Sequence, residues 1–159
     1  MNYFAHGLNF LDNPYMLAGT AVPDWLSVVD RRVRARSKRV APWVDDPDPV
    51  LSGVARGVIV HHHDDAWFHQ TRSFAELSLE FTVNMRDVLP NDTGFRHSFL
   101  GHILVEILLD GALIEQDITR LNAYYDALCR LDPEVVSEAV HRVTTGRAEQ
   151  LPEMIRLFC

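Results

Sequence analysis

Apolar residues recur at helical spacing over several long stretches of this chain, and prolines mark where the stretches begin. Asp48-Pro49 opens one that runs to about Gln70, with proline at the first helical position, where its missing N–H costs nothing. Ser73 followed by Glu76 matches a capping box and predicts a second helix to about Val88. Pro90-Asn91-Asp92-Thr93-Gly94 reads as a turn. From about Phe95 to Glu115, Leu and Ile fall at helical spacing on nearly every side, so this third helix is expected to be largely buried. Asp132-Pro133-Glu134 starts another helix, and a short last one spans Pro152 to Phe158. The region before Pro49 is less regular and reads as one helix followed by a loop through Pro42 to Pro47. No segment alternates apolar and polar residues between glycine-containing turns, so strands are not expected. Without repeats or low-complexity segments, the expectation is an all-α fold: a single-domain helical bundle over residues 1–159.

Composition narrows the partners. With 47% hydrophobic residues the chain can bury a core without disulfides or other staples. A net charge of −7 argues against nucleic acid or an anionic membrane, which need a basic footprint. The one basic run, Arg31 to Arg39, precedes the acidic Asp45-Asp46-Pro47-Asp48 and reads as a solvated helix face or exposed loop. Two cysteines, Cys129 and Cys159, make no disulfide framework and no C-x-x-C pair. They fit a reduced, cytoplasmic protein with Cys129 in the core. The first ten residues lack the basic and apolar regions of a signal peptide. No apolar run approaches the about 18 residues that would suggest a membrane span.

Histidine is the unusual feature of this composition. Four of the eight lie within HHHDDAWFH, residues 61 to 69. Steps of four return to nearly the same helix face, which puts His61, Asp65 and His69 in one column. The same arithmetic puts His102, Glu106 and Asp110 in a second column on the Phe95–Glu115 helix, among Ile103, Leu104, Val105, Ile107, Leu108 and Leu109. Charged groups in such a setting are costly unless paired or bound to metal, and neither column holds a Lys or Arg. Imidazoles and carboxylates facing one another across a helix pair suit one or two divalent ions: zinc first, then manganese, iron or nickel. Carboxylate–imidazole hydrogen bonding without metal is the plainer alternative. His63-Asp64 has the form of an HD dyad, but neighbours on a helix point about 100° apart, so the 61/65/69 column is preferred. His62 and His63 are left to substrate-facing or exposed roles. Taken alone, His6 reads as a core histidine and Asp24 as a helix cap.

These motifs resemble the acyl carrier protein phosphodiesterase (acyl carrier protein hydrolase) family. MNYFAH, residues 1 to 6, is similar to the family's Met-Asn-aromatic-Leu-Ala-His start. LAGTAVPDWL keeps Gly19 and Asp24 in register with its next motif. GVIVHHHDDAWFH matches at Gly57, His61 and Asp65, and GHILVEILLDG matches in spacing at Glu106 and Asp110. The resemblance spans roughly the first 115 residues. It implies an HD-like, all-α metal phosphodiesterase that cleaves phosphopantetheine from a carrier-protein serine, and it adds His6 and Asp24 to the metal ligands. His69, His102, Glu106 and Gly111 depart from the family pattern. The added imidazoles favour zinc and make the spacing similar to zinc-dependent phospholipase C as well.

The expected chemistry is therefore metal-assisted hydrolysis of a phosphoester, with two ions held by His6, Asp24, His61, Asp65, His69, His102, Glu106 and Asp110. Asp65 is the candidate bridging and catalytic carboxylate. His62 is a candidate substrate-facing catalytic group, and Arg72, with Arg96, a candidate phosphate clamp. If the substrate is an acyl carrier protein, itself acidic, the Arg31–Arg39 run is its dock. The alternatives are a non-hydrolytic helical metalloprotein of di-iron oxidase type, whose bundles favour Glu-x-x-His motifs, or a degenerate scaffold. No nucleophilic triad, Walker-type loop or dinucleotide fingerprint is present.

Overall fold

Short polar caps followed by proline start three of the helices. Asn13 accepts from the Met16 N–H ahead of α2 (Pro14–Val29), and Asp48 from the Val50 N–H ahead of α4 (Pro49–Phe68). Asp132 accepts from Glu134 and Val135 ahead of α8 (Pro133–Val143). In each, the cap satisfies an N–H that the first turn leaves without a partner, and proline supplies a preset φ. The computed structural model describes residues 1–90 and 96–159. Its other helices are α1 (Tyr3–Gly7), α3 (Ser37–Val40), α5 (Arg72–Val88), α6 (His97–Gln116), α7 (Ile118–Cys129) and α9 (Leu151–Arg156), with a 3-10 turn at Ala41–Trp43. Among the described residues there is no strand, and the fold is an all-α bundle.

Several expectations shift. The cap of α5 is Thr71, whose Oγ1 accepts from the Phe74 N–H at 3.2 Å, and not Ser73; Glu76 pairs with Arg72 instead. The region before Pro49 holds α1, α2 and α3, not one helix, and α7 follows α6 directly. The turn read at 90–94 lies outside the described residues apart from Pro90. Pro23 sits inside α2, so Asp24 is a mid-helix residue and not a cap. A mid-helix proline costs about 3 kcal/mol. Burial offsets it: Leu17, Ala18, Ala21, Val22, Trp25 and Leu26 are all fully buried on the same helix. Cys129 is exposed, not in the core.

The core forms where α2 crosses α4, closed by α7, α8 and α9 through residues such as Leu51, Val54, Leu128, Val140 and Ile155. Two glycines allow the crossing. A Cβ on Gly19 would lie 2.4 Å from the Val54 carbonyl oxygen, and one on Gly57 would lie 2.2 Å from that of Met16. Backbone meets backbone there, with no flexible side chain to yield. Gly57→Ala is expected to destabilise the fold by about 1–3 kcal/mol, lowering Tm by roughly 2–12 °C for a chain of this size. Thermal denaturation checks this, and an unchanged Tm would refute the close crossing.

α5 and α6 pair into an arm that meets the rest of the molecule mainly through α1 and α7. The arm is therefore only thinly covered. On α6 the buried residues are Gly101, Val105, Glu106 and Asp110, while Ile107 and Leu108 are half exposed. The expectation of a largely buried helix fails because, among the described residues, α6 packs mainly on α5 and touches the other helices over short stretches. Although interrupted by Glu106 and Asp110, α6 is long and apolar enough, by length and composition, to cross a membrane.

Candidate metal centre

The polar face of α6 turns inward onto α1 and α4, and the buried charges meet there. α1 is five residues long, far too short to persist alone. Asp110 fixes it: its carboxylate accepts the Phe4 and Ala5 N–H groups at 3.2 and 2.9 Å, capping the free amides at the helix start. That anchor delivers His6, which is 1% exposed, against α4. Its ring stacks on His61 with centroids 4.2 Å apart.

Two groups of three ligands result. In the first, the His6 Nε2 lies 3.2 Å from Asp65 Oδ1, and the His61 Nε2 lies 3.4 Å from Asp65 Oδ2. In the second, the Nε2 atoms of His69 and His102 lie 3.0 and 3.1 Å from the same Glu106 oxygen. Within each group the three ligand atoms fall within 4.8 Å of one another. A tetrahedral ion with bonds of about 2.0–2.1 Å sets its ligands about 3.3–3.4 Å apart, close to these separations. The groups adjoin: the Met1 amine lies 2.6 Å from Asp65 Oδ1 and 3.1 Å from Glu106 Oε1, so one cation touches both carboxylates.

The donors suit a metal on a second count. Both ring nitrogens of His6 are buried and neither makes an aligned hydrogen bond, although Nε2 stands near Asp65 and Nδ1 near Asp64; this is costly for a polar group unless something else satisfies it. His61 is oriented in the manner of a ligand. Its Nδ1–H donates to the Thr20 carbonyl at 2.8 Å, which leaves Nε2 facing Asp65. Thr20 adjoins Gly19 and His61 stands one turn beyond Gly57, so the glycine crossing sets this bond.

Charge is concentrated here. Burial opposes the Asp65 carboxylate, but the close approach of the His6 and His61 imidazoles and the Met1 amine outweighs it and holds its pKa far below the usual range. Burial likewise opposes Glu106, and His69, the Met1 amine and His102 win, so its pKa is lowered. For His61, burial disfavours the imidazolium, yet Asp65 and Asp24 keep its pKa above the ordinary 6.5. A metal must therefore displace a proton from His61, and affinity is expected to fall as pH drops through that raised pKa. Metal titrations at about pH 8 and about pH 6 measure this, and equal affinity at both would contradict it.

The structure thus brings together His6, His61, Asp65, His69, His102 and Glu106, but in groups other than the two columns. His69 leaves its column to join His102 and Glu106. Asp110 anchors α1 with its carboxylate and belongs to neither group. Asp24 also stands outside both. Burial, then its neighbours Asp65 and Glu106, push its pKa up against the pull of His61 and His6, and it lines a cavity of about 390 Å³ with Glu106. His62 turns away and donates from Nε2 to the Ala35 carbonyl at 2.7 Å, which gives it a structural contact in place of a substrate-facing one. Arg72 is 88% exposed and paired with Glu76, not aimed at the site. Arg96 precedes α6 as an exposed residue. Asp64, set aside with the HD dyad, lies 3.6 Å from His6 Nδ1.

No family model, curated protein or solved structure matches this chain. The likeness to acyl carrier protein phosphodiesterases rests on its short motifs.

Proposed function

We propose that this protein is a metal-dependent phosphoester hydrolase acting on phosphodiesters at a two-ion centre. The observation that carries the reading is the pair of adjoining His-His-carboxylate groups, one of which contains a buried imidazole with no aligned hydrogen bond at either nitrogen. His6, His61 and Asp65 would hold one ion, His69, His102 and Glu106 the other. Each group supplies three protein ligands, the number found in catalytic zinc sites. The imidazole-rich donor set favours zinc over magnesium or calcium. When bound, such ions make a nucleophile from water at neutral pH and stabilise charge on phosphoryl oxygens.

The chain's own residues do the rest. Asp65 uses both oxygens, one toward His6 and one toward His61, and its contact with the Met1 amine places it next to the second group. Asp24 adds a carboxylate at the cavity beside Glu106, outside both ligand groups. Thr20 and Asp110 hold His61 and α1 in place. The partner that the motif resemblance implies, a carrier protein bearing phosphopantetheine, is one phosphodiester of the right kind.

Zinc-loaded protein is expected to release p-nitrophenol from bis-p-nitrophenyl phosphate, and to stop when the metal is chelated. Iron-dependent oxygen consumption with no hydrolysis would overturn this reading in favour of a di-iron oxidase.

A further inference from the structure

The cavity that opens on Asp24 and Glu106 is strongly acidic at its floor, and a phosphodiester entering it is an anion. Bound metal ions would answer part of that repulsion, the Met1 amine already sits on Glu106, and the chain supplies a further charge at the rim. Arg31 lines the same cavity, reached from the C-terminal end of α2, the helix that carries Asp24 and Ser27. The opposite wall, Phe99 and Ile103 on α6, offers no cation, so an anion is held from the α2 side.

Two details separate Arg31 from its basic neighbours. Its Nε donates to the Ser27 carbonyl at 3.4 Å, one turn back along α2, so the side chain folds toward the cavity wall. Arg32, by contrast, is held by both carboxylate oxygens of Asp30 at 3.0 Å each. Among the described residues Arg31 makes no ion pair. A guanidinium with its two terminal nitrogens available at the rim of a metal site has the geometry for bidentate capture of a phosphoryl group.

We infer that Arg31 is the anion-binding residue of this site, holding two phosphoryl oxygens of the substrate in the cavity beside Asp24 and Glu106. The inference rests on the hydrolase reading for its substrate, but anion capture is measurable without turnover. The role assigned to Arg72 and Arg96 by sequence passes to Arg31.

The test uses zinc-loaded wild type, Arg31→Ala, Arg31→Lys and the neighbouring control Arg32→Ala. Inorganic phosphate binding is measured by calorimetry, and KM for bis-p-nitrophenyl phosphate by steady-state kinetics. Arg31→Ala is expected to weaken phosphate binding and raise KM by roughly ten- to hundredfold, the worth of charge-assisted hydrogen bonds. Metal content and melting temperature should be unchanged, Arg31→Lys should recover part of the loss, and Arg32→Ala should match wild type. Unchanged phosphate affinity and KM in Arg31→Ala would overturn the assignment, as would an equal loss in Arg32→Ala, which signals a general field effect. If wild type binds phosphate without hydrolysing esters and Arg31→Ala loses that binding, the anion site stands and the hydrolase reading falls. If wild type hydrolyses esters and Arg31→Ala is unaffected, the reverse holds.

Discussion

Asp65→Asn is expected to lower hydrolysis of bis-p-nitrophenyl phosphate by about a thousandfold while leaving the helical fold intact. Asp65 sets one oxygen beside each of two imidazoles and stands beside the second group through the Met1 amine contact. The amide has nearly the same shape but carries no charge and presents one acceptor oxygen instead of two. It therefore fails to balance a divalent ion between His6 and His61. Metal-ion catalysis is worth several kcal/mol of transition-state stabilisation, and about 1.4 kcal/mol is tenfold in rate, which gives the three orders of magnitude. Circular dichroism establishes that the variant is folded, and steady-state kinetics gives the loss. A variant with more than about a tenth of wild-type activity would remove Asp65 from the centre.

Removing metal is expected to cost nearly as much in stability. The ligands come from α1, α4 and α6, so bound ions join the thinly attached α5–α6 arm and the small α1 to the core helix α4. A ligand present at a thousand times its Kd stabilises the native state by about 4 kcal/mol. For a chain of this length that corresponds to a Tm difference of roughly 8–16 °C. Melts of zinc-loaded protein with and without excess chelator measure it. Coincident melts would mean that the two groups are hydrogen-bonded polar clusters and not metal sites.

Much of this centre is legible in the chain, and the parts that are not have identifiable causes. The long helices α4 and α6 announce themselves by cap, proline and period, and their His, Asp and Glu residues fall at four-residue steps. Each such step overshoots a full turn by about 40°, so position 69 stands about 80° around the helix from position 61. That drift, together with the end of α4 at Phe68, hands His69 to the α6 side, where it meets Glu106. α1 carries no periodic signal in five residues. It exists because Asp110, more than a hundred residues away, accepts its first amides, and no local pattern encodes such a contact. α2 was obscured by Pro23, a helix breaker whose cost the buried Trp25 and Leu26 offset. His62 and Arg72 looked chemical by composition, but their directions were set by the Ala35 carbonyl and by Glu76. Arg31 had the opposite fate: buried in a run of arginines in the sequence, it is singled out by the cavity that its neighbours do not line.

Two metal ions are expected between α1, α4 and α6. Elemental analysis of protein purified without added metal, with His61→Ala and Asp65→Ala alongside, measures it directly. About two ions per chain in the wild type, with clear loss in both variants, is the predicted result. The same substoichiometric metal content in all three proteins would contradict it.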